Sequence, residues 1–278
     1  MPRLPKEPLA AFVGIDWADA KHEVCLQAVG SDQREFTSLV HTPEAIDEWA
    51  RTLRKRFAGH PVAVCLELNN GPIAYALRKY EFLSLFPVNP LTLARYREAF
   101  TPSHAKDDPT DAELMLELLL THRDKLTPLN PQSPEMRALA QLVEHRRRLV
   151  GDKVRLTHRL TSALKNYFPH VLHWFDDKGT TIFCDFLAQW PTLKAVQLAR
   201  RATLKRFFRD HHVRDAGVID QRIQAIKSAT PLTTDEGIIA PNALLVQALV
   251  SQLRVTLRAI EDFDNAIAQR AQSHPDFP

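Results

Sequence analysis

The spacing of apolar residues changes near residue 130, and this change constrains the fold of the 278-residue chain more than any other feature. Before that point, short apolar runs with strand character alternate with amphipathic helical segments. Beyond it, apolar residues recur at helical spacing, and Pro128, Pro131 and Pro134 mark the transition as a linker. We therefore predict two domains, an α/β domain over residues 1–127 and an all-helical domain over residues 128–278.

The order of segments in the first domain predicts a mixed β-sheet. AAFVGID, KHEVCLQAV and REFTSLV are expected to form a three-stranded antiparallel meander. PVAVCLEL is a continuous apolar run, which is typical of a buried central strand, and FLSLFPV predicts a fifth strand. Helices are expected to begin near Pro43, Pro72, Pro90 and Asp108. This alternation has the order of a ribonuclease-H-like fold.

Two long helices dominate the predicted second domain. The first runs from Pro134 to about Phe168, and the second runs from about Asn242 to Arg270. The first has a heptad-like seam at Met136, Leu139, Val143, Val150, Val154 and Leu164. The second has a stripe at Val246, Leu249, Leu253, Leu257, Ile260 and Ile267. We expect these coiled-coil-like helices to pair either within the chain or across a dimer.

Four acidic residues lie where a metal-dependent nucleic-acid enzyme would need them. Asp16 and Glu67 end two predicted strands, and Asp108 and Asp111 are three residues apart at a predicted helix start. Carboxylates that converge in this way can hold Mg²⁺ and support phosphodiester cleavage. Each has a structural alternative, since Asp108-Pro109 is also an ordinary helix start and Asp16 also ends a strand.

The charge of the chain is unevenly distributed. Residues 1–125 carry 15 Lys and Arg against 18 Asp and Glu, whereas residues 126–278 carry 21 against 15. Arg146, Arg147 and Arg148 lie on the first long helix and are candidates for contacts with nucleic-acid phosphates, or else form a solvated helix face. Lys106, just before the acidic helix start, is a further candidate for a phosphate contact. Alternatively, it only offsets the negative charge of the acidic loop.

Other chemistries are disfavoured by the composition. The three cysteines are too few and too scattered to predict a disulfide framework or a zinc site. No uninterrupted apolar run approaches the roughly 20 residues that a membrane span requires. The N-terminus has no apolar signal-peptide region, so we expect a cytoplasmic protein without a membrane partner.

Four segments resemble the N-terminal domain of the DEDD insertion-sequence transposases, which are recombinases with a RuvC-like nuclease domain and a structured bridge RNA as guide. These segments are FVGIDWADAKHEVCL, CLELNNGP, LFPVNPLTLARYREAF and SHAKDDPTDAELMLELL. The resemblance covers about residues 10–125 and continues weakly into the helical part. It implies that Asp16, Glu67, Asp108 and Asp111 are the catalytic acids, that they bind Mg²⁺ or Mn²⁺, and that DNA and bridge RNA are partners.

The resemblance also implies a C-terminal domain whose serine attacks DNA covalently. This chain ends at SHPDFP, about where that domain would begin, and its later serines do not lie in the family's serine motif. We therefore expect it to hold the acidic half of a composite active site and to be unable to exchange strands unaided.

The leading hypothesis is thus a DNA transposase or recombinase that functions as a homodimer or tetramer. Two alternatives remain open from the sequence. One is a stand-alone metal-dependent nuclease of the Holliday-junction type, in which metal-bound water is the nucleophile. The other is a non-catalytic module that binds RNA or DNA and dimerises through its long helices.

Overall fold

The computed structural model describes residues 8–67, 71–100, 108–129 and 133–272. The side chains of residues 99–100 and 108–110 are outside this description. The chain divides into two compact units, residues 1–132 and 133–278. The division falls inside the proline-marked segment that the sequence suggests as a linker.

The first unit is built on a mixed sheet. The strands in its described part are β1 (Ala11–Asp16), β2 (Lys21–Ala28), β3 (Arg34–Val40), β4 (Val62–Leu66) and β5 (Leu83–Pro87). Its helices are α1 (Pro43–Arg56), α2 (Pro72–Leu77), α3 (Pro90–Phe100) and α4 (Asp108–His122). The strand order is β3-β2-β1-β4-β5, with β1 to β3 antiparallel and with β4 and β5 parallel to β1. The predicted α/β class and the predicted mixed sheet of five strands are confirmed.

Helices cover both faces of the sheet, so its central strands contribute to two separate cores. Val13 of β1 and Val64 of β4 lie in the core formed with α1 and α2. Cys65 of β4 lies in the other core, together with Met115 and Leu119 of α4. Because β4 is buried on both faces, its sequence is a continuous apolar run rather than an alternating one.

Gly14 brings α4 into direct backbone contact with β1. A Cβ atom on Gly14 would lie 2.0 Å from the carbonyl oxygen of Ala112 and 2.6 Å from the amide nitrogen of Leu116. Phe12, on the same face of β1, lies instead below Arg123, whose guanidinium carbon is 5.8 Å from the ring centroid. Since Arg123 follows the last turn of α4, the helix runs antiparallel to β1. Its first turn therefore lies at the sheet edge where β1 ends.

The second unit is entirely helical in its described part. Its helices are α5 (Pro134–Lys165), α6 (Val171–Trp174), α7 (Thr181–Gln189), α8 (Leu193–Leu198), α9 (Arg201–Asp210), α10 (Ala216–Ser228) and α11 (Glu236–Gln272). The two long helices, α5 and α11, form an antiparallel pair. Arg146 Nη2 donates to Asp264 Oδ2 at 3.1 Å, and Asn166 Nδ2 donates to Asn242 Oδ1 at 3.2 Å near the other end. The long helices thus pair within the chain.

The core of the second unit lies towards one end of this pair. It contains Leu160 and Leu164 of α5, together with aromatic residues of α7 and α9 such as Phe186 and Phe208. Three residues of the predicted seam of α5 are exposed, namely Met136 (40%), Val143 (48%) and Val154 (47%). Leu139 and Val150 of the same seam are half-buried. There α5 packs chiefly against α11, and a single neighbouring helix covers only part of such a seam.

Three short helices, α6, α7 and α8, are not predicted by the periodicity. In α7, Phe183, Cys184, Phe186 and Leu187 are all fully buried. These four residues lie at helical spacing on one side of α7, but a helix of nine residues gives too few repeats to establish a period. The six residues of α8 are too few to show a period.

The last helix, α11, begins six residues before the predicted Asn242. Asp235 caps it, because its Oδ1 accepts a hydrogen bond from the Gly237 amide at 2.8 Å, so Pro241 lies inside the helix rather than at its start. Among the described residues, α11 alone is long and apolar enough to cross a membrane, with a mean hydropathy of 1.4 over its best window. This is a weak indication, since buried core helices pass the same test, and Val246 and Leu249 of α11 pack in the core.

Gly14→Ala is expected to lower the free energy of unfolding of the first unit by about 3 kcal/mol, because the new methyl group must displace the α4 backbone. Gly71→Ala is the matched control, since a Cβ there meets no atom within 4 Å, and it should cost at most about 1 kcal/mol as a helix-cap change. Urea unfolding followed by circular dichroism measures both. Equal losses in the two variants would contradict the close contact.

Candidate active site

Asp16 and Glu67 lie at the carboxyl ends of adjacent parallel strands. The register pairs Ile15 of β1 with Leu66 of β4. Asp16 directly follows Ile15 and Glu67 directly follows Leu66, on strands that lie about 4.8 Å apart. Side-chain alternation places Asp16 on the face of Gly14 and, continued by one residue, Glu67 on the face of Cys65. This is the face that α4 covers, and both acids are half-buried there.

The first turn of α4 brings a third carboxylate to the same edge. Asp111 is only 3% exposed. It lies one turn before Met115, which packs in the core with Cys65 of β4, so Asp111 is on the side of α4 nearer to β4. The amino-terminal end of a helix also favours a negative charge electrostatically.

Two candidates of the acidic loop lie wholly or partly outside the described residues. Asp108 is the first residue of α4, one turn before Asp111, but its side chain lies outside them. Lys106 lies outside them altogether. Their predicted roles as a metal ligand and a phosphate contact therefore stay predictions.

Asp111 is held by an arginine that the sequence motifs do not reveal. Arg97 of α3 donates from Nε to Asp111 Oδ1 at 2.9 Å, and its Nη2 lies 2.5 Å from Oδ2. This is a bidentate pair in a nearly buried position. The signal that identifies Arg97 is its helical position, because it lies one turn after the buried Leu93 and so on the inner face of α3.

The donor chemistry of these residues fits Mg²⁺, which prefers carboxylate oxygens. Within the described part of the chain, however, no group of three or more His, Cys, Asp or Glu residues is placed so that it could hold a metal ion. Asp111 is engaged by Arg97, and the Asp108 side chain falls outside that part. The fold thus brings the ends of β1 and β4 together with the start of α4, while the charge of Asp111 is offset by a guanidinium.

A fourth carboxylate, also not predicted, lies opposite Asp16. The antiparallel register of β1 and β2 pairs Asp16 with Glu23. Ser38 Oγ donates to both carboxylate oxygens of Glu23 at 2.9 Å, and Lys21 Nζ lies 3.3 Å from Oε1. These contacts hold Glu23 at the rim of the acidic edge. The alternation of KHEVC in β2 is the signal that would have identified it.

A buried histidine supports the loop that follows Asp16. His22 is fully buried, and its Nδ1 accepts a hydrogen bond from the Ala18 amide at 3.3 Å. Its Nε2 lies 2.8 Å from His41 Nδ1, so a neutral His22 that carries its proton on Nε2 satisfies both contacts. Burial, together with the nearby His41, lowers the pKa of His22 to about 4. The loop after Asp16 is therefore anchored by a neutral imidazole.

The three candidate arginines of α5 differ in their surroundings. Arg146 pairs with Asp264 and thereby links α5 to α11. Arg147 and Arg148 both donate to Glu144, yet their side chains remain 74% and 68% exposed. These hydrogen bonds lower the pKa of Glu144 to about 2. Arg147 and Arg148 thus form an accessible basic surface, whereas Arg146 has a structural partner.

A comparison with known protein families identifies the family to which the chain belongs. Residues 13–169 match the family model DEDD_Tnp_IS110, described as a transposase. The chain belongs to this family of DEDD transposases of the IS110 type. The matched residues include the four acids predicted from the sequence and the three candidate arginines of α5: Asp16, Glu67, Asp108, Asp111, Arg146, Arg147 and Arg148.

Individual relatives agree with this assignment. The chain is 29% identical over 211 residues to "Putative transposase y4uE" of Sinorhizobium fredii, an alignment that covers 73% of this chain and 57% of that protein. It is 28% identical over 288 aligned positions to the "Mini-circle putative transposase for IS117" of Streptomyces coelicolor, which covers 98% of this chain and 67% of the relative. The chain therefore spans between about half and two-thirds of the length of these relatives.

Lowering the pH should destabilise the first unit through His22. The unfolded residue gains its proton near pH 6.5 but the folded one only near pH 4, so this contribution is complete above pH 6.5 and is lost as the pH falls towards 4. The loss is at most about 3 kcal/mol. Urea midpoints measured at pH 7.5 and 4.5 should fall less for His22→Gln than for the wild type. An identical pH dependence in both proteins would contradict a neutral buried His22.

Proposed function

We propose that the protein acts in DNA transposition, in strand cleavage and rejoining at an insertion sequence, and that its acidic sheet edge is the metal-binding part of the active site. The observation that carries this proposal is the convergence of Asp16, Glu67 and the first turn of α4 at one edge of the sheet. Membership of the transposase family supports the proposed class of reaction, and the acidic edge of the sheet supports its proposed location.

Asp16, Glu67, Asp108 and Asp111 would hold Mg²⁺ or Mn²⁺. The bound ion would stabilise the charge that develops on the phosphate and on its leaving oxygen. The chain contributes rigidity to this site, because Asp16 ends a strand that α4 touches backbone to backbone. It also contributes the Ala18–His22 contact, which fixes the path of the chain directly after Asp16.

The nucleophile follows from the family resemblance rather than from any serine of residues 1–278. A serine of a further domain would attack the DNA phosphate, and the acids would orient that phosphate and its metal. The family resemblance also implies the partners: a homodimer or tetramer would bind DNA and a structured guide RNA in the cytoplasm.

The exposed Arg147 and Arg148 are suited to hold the RNA or DNA backbone. Their guanidinium groups are shared with one carboxylate, Glu144, so one negative charge faces two positive ones. Phosphates attract such a surface without reading sequence. Arg146 would contribute indirectly by keeping α5 and α11 paired.

Asp16→Asn is expected to abolish both tight Mn²⁺ binding by the chain and recombination between donor and target plasmids in cells. The reason is that the amide keeps the shape of the side chain but removes a negatively charged ligand. Asp19→Asn is the matched control, because Asp19 is an exposed acid in the loop that follows β1. Mn²⁺ binding is followed by electron paramagnetic resonance of the free ion, and folding by thermal melting.

Recombination that persists in Asp16→Asn would overturn the proposed function. Cleavage of branched DNA by the purified chain with Mg²⁺ alone would instead favour the stand-alone nuclease. Nucleic-acid binding that needs no metal and leads to no reaction would favour the binding module.

Removing the charges of Arg147 and Arg148 together, by substitution with Gln, should weaken binding of duplex DNA and structured RNA irrespective of sequence. The slope of log affinity against log salt concentration should fall by about 2, since each arginine neutralises one phosphate. Arg54→Gln with Lys55→Gln is the control, because it removes two exposed charges from α1. Equal salt slopes in the two double variants would contradict a binding role for the α5 surface.

A further inference from the structure

The pair between Arg97 and Asp111 has the character of a buried ion pair. The side chain of Asp111 is 5% exposed and that of Arg97 is 24% exposed. A hydrogen bond at 2.9 Å and an ion-pair contact at 2.5 Å occupy one direction of each carboxylate oxygen. A carboxylate buried to this degree needs a cationic or strongly polar partner, since its desolvation costs several kcal/mol. Arg97 meets this need from a neighbouring helix.

The same carboxylate is one of the proposed metal ligands. A divalent cation bound there would bring two positive charges close to a guanidinium that already holds both oxygens. A divalent cation and a guanidinium that contact the same carboxylate repel each other strongly, because water screens charges poorly in a buried site. Arg97 and a metal ion therefore compete for the Asp111 carboxylate.

We propose that Arg97 is a displaceable counter-ion of the acidic centre. It neutralises Asp111 while no metal is bound, and it leaves the carboxylate when the metal binds. This inference rests on the proposed function, because it takes Asp111 to be a metal ligand. It assigns Arg97 a positioning role through Asp111. We call this exchange of Arg97 for a metal ion at the Asp111 carboxylate the latch.

The released guanidinium would remain next to the site, since α3 is fixed by Leu93, which lies one turn earlier and is buried. A DNA phosphate is a suitable new partner, because arginine binds phosphate oxygens with the same bidentate geometry. Metal and nucleic acid should therefore promote each other's binding through Arg97. The coupling is reciprocal by thermodynamic necessity.

Arg97→Met in the 278-residue chain tests the latch directly. We expect it to bind Mn²⁺ roughly tenfold more tightly than the wild type, because the competing buried ion pair is gone. Without metal its melting temperature should fall, and saturating Mn²⁺ should restore it. Arg95→Met is the matched control, since Arg95 is exposed on the same helix, and it should change neither quantity.

The coupling gives a second readout. Duplex DNA should increase the Mn²⁺ affinity of the wild type and of Arg95→Met more than that of Arg97→Met. If Arg97→Met does not fold without metal, Arg97→Lys is measured instead. It keeps the charge but loses the bidentate geometry, so its Mn²⁺ affinity should lie above that of the wild type.

Unchanged or weaker Mn²⁺ binding in Arg97→Met, or in Arg97→Lys where the Met variant does not fold, would make the pair a permanent structural bridge and overturn the latch. If Asp16→Asn still abolishes binding in that case, the proposed function stands without it. Absence of Mn²⁺ binding in the wild type and in every variant would overturn both.

Discussion

The contact between Gly14 and the backbone of α4 determines the geometry of the first unit. Without a side chain at this position, the Ala112 carbonyl can approach β1 more closely than any other residue would permit. The helix axis is thereby fixed over the central strand, and its first turn is fixed at the edge where β1 and β4 end. The position of Asp111 relative to Asp16 and Glu67 depends on this one close approach, because it sets both the direction and the height of α4.

Assembling acids at one edge has an electrostatic cost that the surrounding residues reduce one by one. Arg97 neutralises Asp111, the start of α4 favours negative charge, and Ser38 with Lys21 holds Glu23. Charged residues so arranged stabilise little in net terms, because each had to be removed from water. In the function proposed above, these acids serve the reaction of the family rather than the stability of the fold.

Much of the first unit could be predicted because its local signals agree with its tertiary structure. Thr42 and Pro43 begin α1 as their types suggest, with Thr42 Oγ1 accepting from the Ala45 amide at 3.3 Å, and the apolar run of β4 is a central strand. Helical spacing from the buried Leu93 places Arg97 on the inner face of α3, but it does not identify Asp111 as the partner, because that residue lies in a different helix. The exposed part of the α5 seam could not be anticipated either, since a heptad pattern does not reveal how many neighbours will cover it.

The antiparallel pairing of α5 and α11 means that the second unit is an out-and-back excursion of the chain. Arg146 is the 13th of the 32 residues of α5, and Asp264 lies eight residues before the end of α11, yet the two are in contact. The chain therefore travels about 48 Å along α5, at 1.5 Å per residue, and returns along α11 to the neighbourhood from which it left. Such an arm can be lengthened or shortened by whole turns in both helices during evolution without separating its two ends.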